Sequence, residues 1–173
     1  MSTARVRLPV LLIAVAVFAA ACGGTSGSSS SRTNGSSAAQ LLDFTTERLS
    51  GGEFSGTSIK GKDTVFWFWA PWCTVCRAEA PDIVATAAKF RGKVDLIGVA
   101  GRGEVPAMKD FVKETGTGGF DHIVDTDGAI WSRFGVPAQP AFAFVDHTGK
   151  VEVVVGSLDE QTLTARLQAM ANA

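Results

Sequence analysis

Two cysteines separated by two residues, Cys73 and Cys76, are the side chains in this 173-residue sequence best suited to covalent chemistry. They sit in Trp72-Cys73-Thr74-Val75-Cys76, where an apolar run gives way to a helix-favouring stretch. At a helix start, unpaired N–H groups and the helix dipole favour negative charge, so a thiolate at Cys73 should form below the pKa of a free cysteine. Cys73 is expected at the mouth of the turn as the attacking sulfur. Cys76, one turn further on, is expected to lie deeper and resolve the mixed disulfide, giving two successive thiol–disulfide exchanges. A structural zinc site would want a second such pair or nearby histidines, and the only histidines are His122 and His147. No metal and no other cofactor is expected. No cysteine lies between Cys22 and Cys73, which argues against a peroxidatic site ahead of the pair.

The elements that must position this pair can be read from the residues around it. Val65-Phe66-Trp67-Phe68-Trp69 is a β-branched and aromatic run that predicts a buried central strand. Thr74 to Phe90 predicts a helix, with Pro81 placed to bend it. Two short strands joined by a Gly-rich turn are expected between Asp43 and Ile59. Val94 to Ala100 predicts a further buried strand, and Pro106 a helix start. Phe120 to Val124 predicts a short strand, followed by a helix capped by Asp127 and running to Phe134. Ala141–Val145 and Val151–Val155 predict a hairpin around Asp146-His147-Thr148-Gly149-Lys150, and Ser157-x-x-Glu160 a capping box for a last helix. His122 and His147 are expected on the surface of a strand and of that hairpin. Trp67, Trp69 and Trp131 are expected in the core. The order, ββ then βαβαβαββα, implies an α/β fold with a mixed central sheet flanked by helices and an N-terminal β-hairpin extension.

Ahead of the domain, Arg5, Arg7 and the apolar run from Leu8 to Ala21 read as a signal peptide over residues 1–21, too short to span a bilayer comfortably. The run ends in Ala19-Ala20-Ala21-Cys22, which resembles a bacterial lipobox and so implies a lipidated Cys22 as the mature N-terminus. From Gly23 to Ser37, eleven of fifteen residues are Gly or Ser. Residues 22–39 therefore read as lipidated Cys and tether, with a reach of roughly 20–25 Å, and residues 40–173 as the folded domain. The expected location is extracytoplasmic, held to the cell membrane through Cys22, where disulfides persist. A composition 46% hydrophobic and 19% charged suits one globular domain, and a net charge of -1 offers no basic stripe for nucleic acid.

Phe68-Trp69-Ala70-Pro71-Trp72-Cys73-x-x-Cys76 closely resembles the active-site segment of the thioredoxin superfamily. The continuation Arg77-Ala78-Glu79-Ala80-Pro81 resembles its TlpA/DsbE branch. Together with Gly135-Val136-Pro137-Ala138-Gln139-Pro140-Ala141-Phe142, it is similar to the actinobacterial extracytoplasmic Dsb proteins within that branch. The likeness runs from about Leu42 to the C-terminus and implies the thioredoxin fold. It also implies a cis-proline at Pro140, just before the strand beneath the active site, presenting the backbone of Gln139 to an extended substrate. Trp72, beside the nucleophile, is expected to line the substrate surface. Glu79, three residues after Cys76, is either the group that takes the Cys76 proton or a solvated helix residue, and the TlpA likeness favours the first. Thioredoxins carry a buried aspartate six residues before the first cysteine. Trp67 stands there, so the thioredoxin proton path is absent.

The resemblance leads to an extracytoplasmic thiol–disulfide oxidoreductase acting on exported proteins that carry cysteine pairs, served by a second redox partner not identifiable from the sequence. An oxidase introducing disulfides is the leading expectation. A TlpA/DsbE-like reductase, as in cytochrome c maturation, and a non-catalytic thioredoxin-fold binding lipoprotein are the alternatives, because direction depends on reduction potential against the compartment's poise.

Overall fold

In the computed structural model, residues 38–173 are described. The expected leader, the tether up to residue 37 and Cys22 lie outside the described residues.

The centre of the fold is β3 (Thr64–Trp69), all six of whose residues are buried. Alternation along the strand sends its two sets of side chains into two different cores. Val65, Trp67 and Trp69 join one cluster with residues of α2 (Thr74–Phe90), α3 (Val105–Thr115) and α5 (Glu160–Ala171). Phe66 and Phe68 join the other, against Trp131, Phe134 and Phe54. A strand apolar on both faces must lie in the middle of a sheet covered on both sides.

The sheet order is β5-β4-β3-β6-β7, with β4 (Asp95–Gly101), β5 (Asp121–Asp125), β6 (Ala141–Val145) and β7 (Val151–Val155). β4 runs parallel to β3 and pairs Phe66 with Ile97, whereas β6 runs antiparallel and pairs Phe66 with Ala143. This is the expected mixed sheet. The expected hairpin extension is β1 (Thr45–Glu47) with β2 (Glu53–Ser55), after a single helical turn, α1 (Ala38–Leu41). It lies along the outer edge of β5 through an Arg48–Ile123 bridge and a Thr46 Oγ1 bond to the Val124 carbonyl at 2.5 Å. A covered edge is closed to pairing with other chains.

Two expected helix caps are replaced. α4 (Ala129–Arg133) starts after Gly128, whose φ of 73° a side chain would disfavour. Its first N–H groups bond mainly to Asp125, whose carboxylate accepts from Ile130 at 2.9 Å and Trp131 at 2.8 Å. Asp127 accepts from Ala129 N at 3.1 Å. The buried Asp125 reaches two donors because it ends β5 directly beneath the helix start. α5 is capped by Asp159, which accepts from Thr162 N at 2.6 Å, not by Ser157. Asp159 is the residue immediately before the first helical position, where a side-chain oxygen meets the N3 amide. Pro81 lies inside α2 without ending it.

Candidate functional site

α2 begins one residue after Cys73, which is its N-cap. The Cys76 N–H donates to Cys73 Sγ at 3.0 Å, the bond a serine or aspartate makes at other helix starts. The two sulfurs are joined as a disulfide with a Cα–Cα separation of 5.3 Å. Cys76 is fully buried and Cys73 is 5% accessible. The expected order of depth is present, but the open surface at Cys73 is small. Around it the exposed apolar groups are Trp72 and Val75, at 59% and 50%.

Glu79 is buried on the inner side of α2, so the solvated alternative does not hold. Trp67 Nε1 donates to its Oε1 at 2.8 Å. Burial is the largest influence on this carboxyl and raises its pKa from 4.5 to about 7, against the Trp67 bond and nearby Ser157, which favour the ionised form. Oε2 is buried without a hydrogen bond of normal geometry. A carboxyl that titrates near neutrality, within one turn of the resolving cysteine, is suited to proton exchange. The carboxylate in this part of the core comes from the helix, and the strand position expected to hold an aspartate in a thioredoxin supplies the indole that holds it.

The second half of the site arrives from β6. Phe68 pairs with Ala141, so the residues after Trp69 and those before Ala141 emerge at the same end of the sheet. The Gln139–Pro140 peptide is cis, Pro140 is buried, and its carbonyl accepts from Gly156 N at 2.8 Å at the end of β7. Gln139 is half-buried, with its Oε1 enclosed and unpaired. Topology thus brings Trp72, Cys73 and the Gln139–Pro140 loop to one edge, although they are far apart in the chain.

Sequence reasoning missed two residues here. Arg102, in the turn after β4, accepts the Trp72 indole N–H on its carbonyl at 2.8 Å. Its only signal in the sequence was a long cation between Gly101 and Gly103 at a strand end. His122, expected on the surface, is instead buried. Its Nδ1 accepts from Trp69 Nε1 at 3.2 Å and its Nε2 bonds the Thr117 carbonyl at 3.0 Å. Burial lowers its pKa from 6.5 to about 4, so the ring is neutral with its proton on Nε2. The β1–β2 hairpin lies along the outer edge of β5, where Leu49 N bonds the His122 carbonyl, and the ring itself packs edge-on against Trp69 and beside Phe120. His147 is on the hairpin surface as expected, beside Asp63 at 3.2 Å. Among the described residues no group of three or more His, Cys, Asp or Glu is arranged to hold a metal ion, and no helix is long and apolar enough to cross a membrane.

Comparison with known proteins agrees with this geometry. Residues 38–154 match the AhpC/TSA family model. The soluble secreted antigen MPT53 of Mycobacterium tuberculosis is 40% identical over 134 residues, covering 76% of each chain. Among solved structures, that of MTB DsbF in its mixed oxidized and reduced forms is 45% identical, with a TM-score of 0.74 over 76% of this chain and 97% of that one. A secreted Mycobacterium tuberculosis disulfide oxidoreductase, described as homologous to E. coli DsbE, is 40% identical, with a TM-score of 0.70 over 75% and 97%. With a family model matched over most of its folded part and relatives similar across three quarters of its length, the chain belongs to the AhpC/TSA family, has the thioredoxin fold, and is a thiol–disulfide oxidoreductase.

Proposed function

We propose that the protein is an oxidase that introduces disulfides into exported proteins, with Cys73 as the sulfur that meets substrate and Cys76 as its resolving partner. A substrate thiolate attacks Cys73 Sγ, the Cys73–Cys76 bond breaks, and Cys76 leaves as a thiolate that takes a proton from Glu79. A second substrate thiolate then attacks the substrate sulfur of the mixed disulfide. The substrate disulfide forms and Cys73 leaves as a thiolate. Two electrons have passed to the enzyme, and a second redox protein must remove them before the next cycle.

The observation that carries the oxidising direction is the Cys76 N–H aimed at Cys73 Sγ at the start of α2. A donor that stabilises the leaving thiolate stabilises the reduced enzyme, which makes the disulfide a stronger oxidant. The reductase reading draws on Glu79. A carboxylate that takes the Cys76 proton would instead speed attack by Cys76 on a substrate mixed disulfide. Trp72 and the Gln139–Pro140 loop are proposed to receive an extended polypeptide. The anchor reading adds that the enzyme works outside the cytoplasm, tethered through lipidated Cys22. Loss of membrane partitioning in Cys22→Ala tests that part.

The deciding experiment sets the wild type against reduced unfolded ribonuclease and against insulin. Faster recovery of ribonuclease activity with little insulin reduction is expected, and the reverse preference would sink the oxidase reading. Expressed in cells, Cys76→Ser should accumulate mixed disulfides with exported proteins, and Cys73→Ser none. Equal trapping by both variants would refute the assigned roles.

A further inference from the structure

We infer that Arg102 is a positioning residue that sets the groove in which protein substrates meet the disulfide, by tying Trp72 to the loop that enters Pro140. Three contacts meet in this one residue. Its carbonyl accepts the Trp72 indole N–H at 2.8 Å. Its Nη2 donates to the Pro137 carbonyl at 2.9 Å. Its guanidinium lies over the Trp131 ring, 4.7 Å from the centroid. Trp72 is the exposed neighbour of Cys73, and Pro137 stands three residues before Pro140. A single side chain and its own backbone therefore join segments 72, 102 and 137, which the sequence keeps far apart.

The backbone is specialised for this. Arg102 has φ 54°, the only positive value outside glycine among the described residues. Glycine would adopt that conformation more freely, so a long side chain here is set by its contacts rather than by the turn. The turn has no slack on either side. A Cβ on Gly101 would come 2.6 Å from Trp131 Nε1, and one on Gly103 2.4 Å from Pro71 Cγ. The segment is thus seated against Trp131 on one side and against the residue preceding Trp72 on the other. A planar guanidinium that both stacks and donates suits this better than an ammonium would.

A small dithiol needs only the sulfurs, whereas an extended polypeptide needs both walls of the groove at a fixed separation. Arg102 therefore governs protein substrates selectively. The inference rests on the reading of protein thiols or disulfides as substrates, and the test separates the two. Arg102→Gly keeps the backbone conformation accessible and removes the guanidinium, while Arg102→Lys keeps the charge without the planar stack. Arg102→Gly is expected to raise KM for reduced unfolded ribonuclease about tenfold with kcat within about twofold, a loss of binding rather than of chemistry. Exchange with dithiothreitol and the pH profile of Cys73 alkylation should stay as in the wild type, and Arg102→Lys should fall between. An unchanged KM, or a parallel fall in kcat and in the dithiothreitol rate, overturns the inference. If Arg102→Gly does not fold, Arg102→Lys decides by the same criteria. A wild type that turns over only insulin defeats the oxidase reading, and the Arg102 effect is then read on insulin. Turnover of neither protein defeats both.

Discussion

Trp67 and Glu79 meet inside the core, the indole of the central strand donating to the carboxyl of the active-site helix at 2.8 Å. The bond holds an acid where burial resists its charge, one turn beyond Cys76. This produces a measurable linkage between acidity and stability.

Because the folded pKa of Glu79 is raised from 4.5 to about 7, the native state holds a proton that the unfolded state has released. The contribution of Glu79 to stability is then fully present below about pH 4.5 and is lost as pH rises towards 7. Glu79→Gln keeps an acceptor for Trp67 and removes the titration. Urea melts of the oxidised protein across this range should show a wild-type stability, measured relative to the variant at each pH, that declines between about pH 4.5 and 7. In turnover, the same substitution should slow opening of the Cys73–Cys76 bond by substrate thiolate about a hundredfold if Glu79 supplies the proton to the departing Cys76. Equal rates of mixed-disulfide formation in wild type and variant at all pH values would remove that role.

His122 has the opposite sign. Its folded pKa is lowered from 6.5 to about 4, so its contribution to stability is present above about pH 6.5 and is lost as pH falls towards 4. Protonation would place a donor on Nδ1, where Trp69 Nε1 now donates. His122→Gln can offer an acceptor and a donor without titrating. Acid-unfolding curves of the variant should then lack the loss of stability that His122 contributes as pH falls from 6.5 to about 4, with the change reported by tryptophan fluorescence.

Gly98 leaves room for that pair. It stands beside His122 and opposite Trp67 in the sheet, and a Cβ there would lie 2.1 Å from His122 Nδ1 and 2.7 Å from Trp69 Nε1. Gly98→Ala should therefore cost about 1–3 kcal/mol as an overpacked core site. Denaturant melts measure the cost, and a loss below about 0.5 kcal/mol, the usual range for an uninvolved surface change, would show that the His122 ring moves aside freely.

Much of this protein was legible in its residues. The run Val65–Trp69 is apolar at every position, so only a central strand with cover on both faces can bury it, and the structure places it there. The Cys73–Cys76 spacing at a strand–helix junction likewise implied both the pairing and the helix-start environment of the first sulfur. Periodicity and local spacing act over a few residues, and they carried the order of strands and helices as well. Caps and burial of single polar residues were less accessible. Ser157 and Asp127 had the right residue types for caps, but Asp159 and Asp125 won because chain direction at each helix start brought their oxygens to the free N–H groups. His122 reads as a polar surface residue until Trp69 supplies a donor, Thr117 a carbonyl and Phe120 a packing surface. Arg102 offers only a cation between two glycines at a strand end. Its partners Trp72, Pro137 and Trp131 come together only when β3, β4 and β6 align in one sheet. The sequence by itself determined the chemistry and the scaffold, because covalent reactivity and hydrophobic periodicity are local. Tertiary structure decided which buried polar groups surround the sulfurs, because each depends on a partner far away in the chain.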